Sequence, residues 1–259
     1  MIKTISAVTA AVALATGTAP APAEPAEAVR NIVLVHGAFA DGSGWRGVYD
    51  ELTSRGYRVS IVQNPLTSFE DDVAATRRVL ARQNGPSILV GHSYGGSVIT
   101  EAGSDASVAG LVYVAAFAPE IGQSTLDQYA EIPPPPNFQP DVQTDGFAYL
   151  NTDTFIAGFA ADAGDDAAFL RDSQVPIAMR ALEAKVTTAA WRLKPSWYVV
   201  ATEDGAIAPE LLRSTARRIG AVTTEVRGSH VVFLTQPKAV ADVIEQAAKG
   251  AATAPEVAQ

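Results

Sequence analysis

Residues 91–95 read Gly-His-Ser-Tyr-Gly and contain a serine that could act as a nucleophile. They match the pattern Gly-x-Ser-x-Gly. The first of them, Gly91, is the last residue of an apolar run, residues 87–91, that is typical of a buried strand. A helix is predicted over residues 93–102, so the serine would lie in a sharp turn between strand and helix. A hydroxyl exposed at a helix N-terminus is suited to attack on a carbonyl group. We therefore predict that Ser93 is the catalytic nucleophile.

A serine hydroxyl is a weak nucleophile at neutral pH and needs a neighbouring base. The chain has three histidines, of which His36 and His92 precede Ser93 and His230 follows the last predicted strand. Where such a turn carries the nucleophile, the acid and then the histidine come later in the chain. His230 is therefore the predicted base, and the side chain of His92 is expected to diverge from that of Ser93.

Two carboxylates follow the strand predicted over residues 196–201, and either could orient the histidine. Asp204 begins an Asp-x-x-Ile-x-Pro run, which places it in the loop entering the next helix. We prefer Asp204, and Glu203 stays open as the alternative. The predicted role of the acid is to hold one tautomer of His230 and to stabilise the charged imidazolium ring.

The loop after the first predicted strand could stabilise negative charge on a substrate oxygen. Residues 36–39, His-Gly-Ala-Phe, follow that strand directly and can supply a backbone N–H group. We predict that Ala38 and Tyr94 donate the two N–H groups of an oxyanion hole, donors that are worth about 3–4 kcal/mol each. The ring of His36 is expected to hold this loop through hydrogen bonds.

Composition limits the other kinds of chemistry that the chain could perform. The 259 residues carry a formal net charge of −9, which argues against nucleic acid and anionic membranes as main partners. The chain has no cysteine, which excludes disulfides, thiolate catalysis and cysteine-ligated metals. It also lacks a His-Glu-x-x-His pattern, so no metal site is expected. The sequence does not indicate an oligomeric state.

The N-terminal segment has the features of a secretory signal peptide. Lys3 supplies a positive charge, residues 5–15 are apolar except for a serine and a threonine, and Ala-Pro-Ala at 21–23 offers a cleavage site, with Ala-Glu-Ala at 26–28 as a second. The apolar stretch is shorter than the ~20 residues that span a bilayer, so no stable membrane anchor is expected. We predict a signal peptide at 1–23 and a secreted or periplasmic protein; a disordered Ala/Pro tail is the alternative.

Strand and helix signals alternate up to Phe117 and again from residue 196, which predicts βαβ units and a mostly parallel sheet. Continuous apolar runs indicate strands that are buried on both faces. The predicted strands cover residues 31–36, 57–63, 87–91, 108–116, 196–201 and 222–226. Besides the helix at 93–102, the predicted helices cover residues 45–55, 70–83, 209–219 and 237–248.

This alternation stops after Phe117. Residues from about 118 to 193 contain four consecutive prolines, a turn-rich segment at 143–146 and short helical pieces at 165–172 and 177–186. We interpret them as an inserted, mainly helical cap over the sheet of a single domain that covers residues 24–259. The proline run could instead link two domains, but the flanking pieces are too short to fold alone.

Several segments of the chain outside the predicted cap resemble the core of small α/β-hydrolases. The clade is that of plant methyl esterases and hydroxynitrile lyases, together with their bacterial relatives. The matching residues are Val-Leu-Val-His-Gly-Ala at 33–38, Trp45, Glu-Leu-Thr-Ser-Arg-Gly-Tyr at 51–57, Gly-His-Ser-Tyr-Gly-Gly at 91–96, Val-Tyr-Val-Ala-Ala-Phe-Ala-Pro at 112–119, Ala-Thr-Glu-Asp at 201–204, Ile207 and Gly-Ser-His at 228–230. The resemblance implies an α/β-hydrolase fold with helices on both faces of the sheet. It also implies Ser93, Asp204 and His230 as a catalytic triad, Ala38 and Tyr94 as oxyanion donors, and no metal or organic cofactor.

The activity that the resemblance implies is cleavage of a small to medium carboxylic ester, or a lactone, through an acyl-enzyme on Ser93. Hydroxynitrile lyase-like C–C cleavage stays open as an alternative. The lyase branch typically has a threonine and a lysine where this chain has Gly37 and Val231, and both departures favour the esterase branch. A non-catalytic ligand-binding homologue is a second alternative, against which the complete triad argues.

Substrate preference depends on the cap, which matches the family far less well than the core. No arginine or lysine is clearly placed to bind a carboxylate, so a neutral small molecule is the expected substrate. Aromatic residues of the cap could line an apolar pocket, or they could pack the cap onto the core. They are Phe138, Phe147, Tyr149, Phe155, Phe159, Phe169 and Trp191.

Overall fold

The structure is a computed structural model that describes residues 29–251, so the predicted signal peptide at 1–23 lies outside the described residues. The strands are β1 (Asn31–Val35), β2 (Arg58–Val62), β3 (Ser87–His92), β4 (Val108–Val114), β5 (Pro140–Val142), β6 (Phe147–Leu150), β7 (Ile177–Ala178), β8 (Ser196–Ala201) and β9 (Val222–Val226). Those of the core lie where the apolar runs predicted them, with ends that differ by a few residues at most.

The α-helices are α1 (Arg46–Ser54), α2 (Phe69–Leu80), α3 (Gly95–Ala102), α4 (Thr125–Tyr129), α5 (Phe155–Phe159), α6 (Asp166–Asp172), α7 (Met179–Glu183), α8 (Pro209–Arg218), α9 (Val232–Thr235) and α10 (Pro237–Ala251). Two short 3-10 helices cover Gly42–Trp45 and Ala190–Arg192. Helix α9 and the two 3-10 turns were not predicted, because segments of three or four residues show no helical periodicity.

The central sheet has six strands in the order β2-β1-β3-β4-β8-β9, and every neighbouring pair is parallel. β1, β3 and β8 are buried along their whole length, as their continuous apolar sequences indicate. Helices α1 and α10 pack together over the sheet, and so do α2 and α3. The predicted α/β-hydrolase fold, with a mostly parallel sheet and helices on both faces, is confirmed.

The cap, residues 118–193, combines four short helices, α4 to α7, with an antiparallel sheet in the order β5-β6-β7. The expectation of short helical pieces holds at α6. At residues 177–186 the prediction of one helix is wrong, since Ile177–Ala178 pair with β6 and the helix begins only at Met179. Strands of two to four residues are too short for their sequence to indicate a sheet.

Helix α2 packs against α3, and its sequence explains why it begins at Phe69. The side chain of Ser68 caps the helix by accepting a hydrogen bond from the N–H of Asp71 at 3.1 Å. Acidic residues occupy the first turn and arginines the last, which suits the helix dipole. Among residues 29–251, no helix is both long and apolar enough to cross a membrane.

Candidate active site

Ser93 occupies the turn between β3 and α3 in a left-handed conformation, with φ of +54°. The helix begins two residues later, at Gly95, so the prediction that it starts at Ser93 is wrong by two positions. A serine with positive φ is strained and persists only where its surroundings hold it. The N–H of Ser93 donates to Val114 at 3.3 Å, and its carbonyl accepts from Gly96 at 2.9 Å and Phe117 at 3.2 Å.

The two glycines that flank the serine are required by close backbone contacts. A Cβ atom on Gly91 would lie 2.5 Å from the carbonyl oxygen of Gly95. A Cβ atom on Gly95 would lie 2.7 Å from the carbonyl oxygens of Val35 and His36. The Gly-x-Ser-x-Gly pattern therefore lets the turn that carries Ser93 pack against the end of β1.

Ser93 and His230 belong to a continuous chain of hydrogen bonds that ends at Asp204. The Oγ of Ser93 lies 2.9 Å from Nε2 of His230, and Nδ1 of His230 lies 2.8 Å from Oδ2 of Asp204. A carboxylate only accepts, so Nδ1 carries the proton and Nε2 is free to accept the serine proton. The second oxygen, Oδ1, accepts the N–H groups of Ala206 and Ile207, each at 2.8 Å.

These three side chains come from loops that follow three different parallel strands, β3, β8 and β9. The carboxyl ends of parallel strands meet at one edge of the sheet, which is where such folds place ligands. All three residues are buried, with exposed fractions of 7% for Ser93, 4% for Asp204 and 1% for His230. Glu203, the alternative acid, points elsewhere and forms an exposed ion pair with Arg227 at 2.8 Å.

Ala38 and Tyr94 both line the same cavity as Ser93. Within the described residues, neither of their backbone N–H groups has a hydrogen-bond partner. Tyr94 is at the N-terminus of α3, where unpaired N–H groups favour negative charge. The arrangement leaves two donors beside the serine that are available to a substrate oxygen.

The loop that carries Ala38 is held by His36. Its Nε2 accepts the backbone N–H of Asn64 at 2.9 Å, so the ring proton is on Nδ1 and is donated to the carbonyl of Gly37 at 2.9 Å. The side-chain amide of Asn64 donates in turn to the carbonyl of His36 at 2.9 Å. Burial lowers the pKa of His36, which keeps the ring neutral and this pattern fixed.

Gly37 lies where this loop comes close to Ser93. A Cβ atom on Gly37 would lie 2.7 Å from Cβ of Ser93 and 3.0 Å from the carbonyl oxygen of His92. No side chain fits there unless one of the two backbones moves. The glycine thus allows Ala38 to come close to Ser93.

His92 has a role in the site that the sequence analysis missed. Its ring makes no hydrogen bond to Ser93, but it lies 4.7 Å from the ring of His230 and its Nε2 donates to the His230 carbonyl at 2.9 Å. Burial, and then the proximity of His230, lower the pKa of His92 well below its usual range. A neutral His92 therefore holds the backbone of the residue that contacts Ser93.

Asp72 is the second residue near the site that the sequence analysis missed. It is fully buried on α2, and its oxygens accept hydrogen bonds from the hydroxyl of Tyr94 at 2.7 Å and the N–H of Leu66 at 2.8 Å. The sequence shows three consecutive acids at 70–72, as on many solvated helix ends, and does not indicate which one is buried.

The cavity above Ser93 has a volume of about 230 Å³ and an apolar wall. Within the described part of the chain, no charged side chain lines it. Of the seven aromatic cap residues singled out from the sequence, Phe138 and Phe159 line it, whereas Phe169 is 67% exposed. The other lining groups include Phe39, Phe117, Leu126, Tyr129 and Met179.

The chain matches the model of the alpha/beta hydrolase family over residues 32–243. A carbendazim hydrolyzing esterase of Nocardioides sp. is 37% identical over 119 residues, which are 40% of this chain and 49% of that relative. A pyrethroid hydrolase of Sphingobium wenxiniae is 34% identical over 113 residues, which are 38% of this chain and 40% of that relative. The chain therefore spans half or less of the length of these two relatives.

A solved structure adds a comparison over almost the whole described chain. An extracellular α/β-hydrolase from a Paenibacillus species, which shares structural and functional homology with tobacco salicylic acid binding protein 2, superposes with a TM-score of 0.70. The two chains are 23% identical, and the match covers 84% of this chain and 98% of the other. At this identity the likeness concerns the fold. The resemblance to small α/β-hydrolases that the sequence segments predicted is confirmed.

Proposed function

Because the chain belongs to the alpha/beta hydrolase family, we propose that it is a serine esterase that cleaves neutral, small to medium carboxylic esters. The observation that carries the proposal is the hydrogen-bond chain from Asp204 through His230 to Ser93, which ends at the wall of an apolar cavity. The names of the two curated relatives, an esterase and a pyrethroid hydrolase, support the same class of reaction.

In the proposed acylation step, Oγ of Ser93 attacks the carbonyl carbon while Nε2 of His230 accepts the serine proton. The carbonyl oxygen becomes negative and accepts hydrogen bonds from the N–H groups of Ala38 and Tyr94. Asp204 stabilises the imidazolium ring. His230 then gives its proton to the alcohol oxygen as the C–O bond breaks, which leaves the acyl group on Ser93.

The proposed deacylation step repeats this chemistry with water. His230 accepts a proton from the water that attacks the acyl carbon, and the same two N–H groups stabilise the second anionic intermediate. His230 returns the proton to Oγ of Ser93 as the acyl bond breaks. The products are a carboxylic acid and an alcohol, and every residue returns to its starting protonation state.

Covalent labelling tests the assignment of the nucleophile. A fluorophosphonate probe reacts with activated serines, so it should modify the wild type at Ser93 and leave Ser93→Ala unmodified. Ser97→Ala is the matched control and should still be labelled at Ser93, because Ser97 is also buried, one turn along α3, but bonds to Thr125 at 2.8 Å and not to a base. An adduct found by mass spectrometry on any other residue would contradict the proposal.

The charge of the accepted ester follows from the cavity wall. Burying a carboxylate without a partner costs several kcal/mol, so p-nitrophenyl butyrate should have a kcat/KM about 100-fold higher than the mono-p-nitrophenyl ester of succinate. Leu126→Lys adds a cation to the wall and should narrow that ratio. Equal values for the two esters on the wild type would show that the substrate does not enter this cavity.

The same proposal includes export of the chain through its N-terminal segment. The positive charge, the apolar stretch and the small-residue cleavage sites support it. The Paenibacillus hydrolase with the same fold is extracellular. If export is correct, the N-terminal residue of protein recovered outside the cytoplasm will lie near position 24 rather than at Met1.

A further inference from the structure

A buried carboxylate lies behind the turn that holds Ser93. Asp72 is fully buried, and the acyl-transfer steps do not use it. Burying a carboxylate strongly destabilises a fold unless its oxygens are hydrogen bonded. Both oxygens of Asp72 are bonded, and the two donors lie in two different segments around the active site. This placement suggests a function beyond packing.

The first donor is the hydroxyl of Tyr94, which binds Oδ2 of Asp72 at 2.7 Å. Tyr94 directly follows Ser93 and supplies the second proposed oxyanion N–H. Its buried ring packs edge-on against Phe69, with 6.4 Å between the ring centroids. A ring that is packed along its side and bonded at its tip restricts the orientation of its own backbone N–H.

The second donor is the N–H of Leu66, which binds Oδ1 of Asp72 at 2.8 Å. Leu66 has a φ of +58°, a conformation that a branched residue keeps only when its contacts enforce it. The carbonyl of Leu66 accepts the N–H of Ala178 in β7 at 2.9 Å, and the carbonyl of Thr67 accepts Nε of Arg180 at 2.7 Å. Asp72 therefore fixes the loop on which the cap is docked.

We propose that Asp72 is a positioning residue that couples the oxyanion N–H of Tyr94 to the docking of the cap through Leu66. This inference rests on the proposed function, because it assumes that Tyr94 stabilises an anionic oxygen. Asp72 acts through Tyr94 and Leu66 and does not itself touch the substrate. Its loss should therefore slow the chemical step more than it weakens substrate binding.

The groups that face Asp72 define how it responds to pH. Glu70 and Asp71 on its own helix add negative charge, the turn before α3 contributes the Tyr94 hydroxyl, and the loop contributes the Leu66 N–H. In the cap, the positive charge of Arg180 lowers the pKa of Asp71. Burial raises the pKa of Asp72 to about 6, and the two hydrogen bonds oppose that rise.

The sign of the pH effect on stability follows from this raised pKa. Between the usual aspartate pKa of about 4 and the folded value, the folded chain binds more protons at Asp72 than the unfolded chain does. The stabilising contribution of this group is thus present below pH 4 and is lost as the pH rises through 6. Asp72→Asn removes the buried charge and should remove this dependence.

Steady-state kinetics test the coupling with variants of nearly unchanged size. Asp72→Asn and Tyr94→Phe should each lower kcat for p-nitrophenyl butyrate by about 10-fold, with KM within about 2-fold of the wild type. The double variant should be no slower than the slower single variant, because both substitutions remove the same hydrogen bond from the Tyr94 hydroxyl to the Asp72 carboxylate. Asp71→Asn is the control, since the side chain of that exposed neighbour bonds to Thr67 and not to Tyr94 or Leu66, and kcat should not change.

Thermal unfolding provides a readout that does not depend on activity. The difference in Tm between Asp72→Asn and the wild type should become more positive from pH 5 to pH 8, because only the wild type buries a charge above pH 6. Asp71→Asn should show no such trend, since hydrogen bonds from Ser68 and Thr67 lower the pKa of Asp71 and keep it charged throughout.

Each outcome supports or overturns the inference. Lower kcat at nearly constant KM, together with a double variant no slower than the slower single variant, would support it. An active wild type whose kcat both single variants leave unchanged would overturn the positioning role alone, as would fully additive losses in the double variant. A wild type that binds no fluorophosphonate and hydrolyses no ester would overturn the proposed function and this inference together.

Discussion

Replacing His230 by alanine is expected to lower kcat for p-nitrophenyl butyrate by about 10⁶-fold, as in other sites where serine and histidine act as a unit. Nε2 of His230 lies 2.9 Å from Oγ of Ser93, and the described structure offers that oxygen no other basic partner. Without the ring, the serine must attack as a neutral hydroxyl. The two N–H donors remain, so turnover should still exceed that of the uncatalysed reaction. Stopped-flow kinetics give the rate of the wild type, and product measured over long incubations gives the rate of His230→Ala.

The control for this prediction is the double variant Ser93→Ala/His230→Ala. Groups that act in one step are not additive, so the double variant should be about as slow as each single variant. His92 is the other histidine that could act as the base in His230→Ala, because its ring lies only 4.7 Å from that of His230 in the wild type. A loss of less than about 100-fold in His230→Ala would mean that another group serves as the base.

Replacing Asp204 by asparagine is expected to lower kcat about 10⁴-fold, while KM changes little. The reason lies in the other oxygen, Oδ1, which accepts the N–H groups of Ala206 and Ile207. An asparagine must keep its carbonyl oxygen on these two donors, so its NH₂ group faces Nδ1 of His230. That group can only donate, which forces the ring proton onto Nε2. His230 then cannot accept the proton of Ser93.

Glu203→Gln is the matched control for this substitution. It removes the neighbouring carboxylate, whose exposed ion pair with Arg227 contributes little to stability. Its kcat should equal that of the wild type, and a strong loss would reverse the assignment of the acid. Titration of the imidazole NMR signals of His230 in Asp204→Asn gives independent evidence on the tautomer.

The parts of the site that the sequence predicted all follow strands. Ser93, Asp204 and His230 follow the strands β3, β8 and β9, and the carboxyl ends of parallel strands converge on one edge. Strand prediction and chain order therefore selected Ser93 and His230, whereas the choice between Asp204 and Glu203 also needed the Asp-x-x-Ile-x-Pro run. The same reasoning excluded His36, whose ring fixes the loop at the end of β1.

The contacts of His92 and Asp72 could not be predicted in this way. Periodicity indicates which face of an element is buried, but it does not indicate the residue that packs against it. His92 meets a carbonyl that lies 138 positions away, and Asp72 meets a hydroxyl 22 positions away. In one sequence, a buried acid beside Glu70 and Asp71 has the same pattern as a solvated helix end.

The cap was the least predictable part for a related reason. Its strands have two to four residues, and β5 is exposed along its length, so no alternation of polar and apolar residues marks them. Ile177–Ala178 form a strand because β6 lies beside them and pairs with them in antiparallel orientation. Tertiary contacts therefore override the local helical pattern at that point.

The contact between Gly37 and Ser93 also limits how such an enzyme can change its chemistry during evolution or in the laboratory. A threonine at position 37 needs space that Cβ of Ser93 already occupies, so the nucleophile turn would have to shift before the new side chain could be accommodated. Substitutions that loosen that turn would have to come first, and they would lower the original activity. A path toward a different reaction that passes through a side chain at position 37 therefore has a required order, and its first step lowers the original activity.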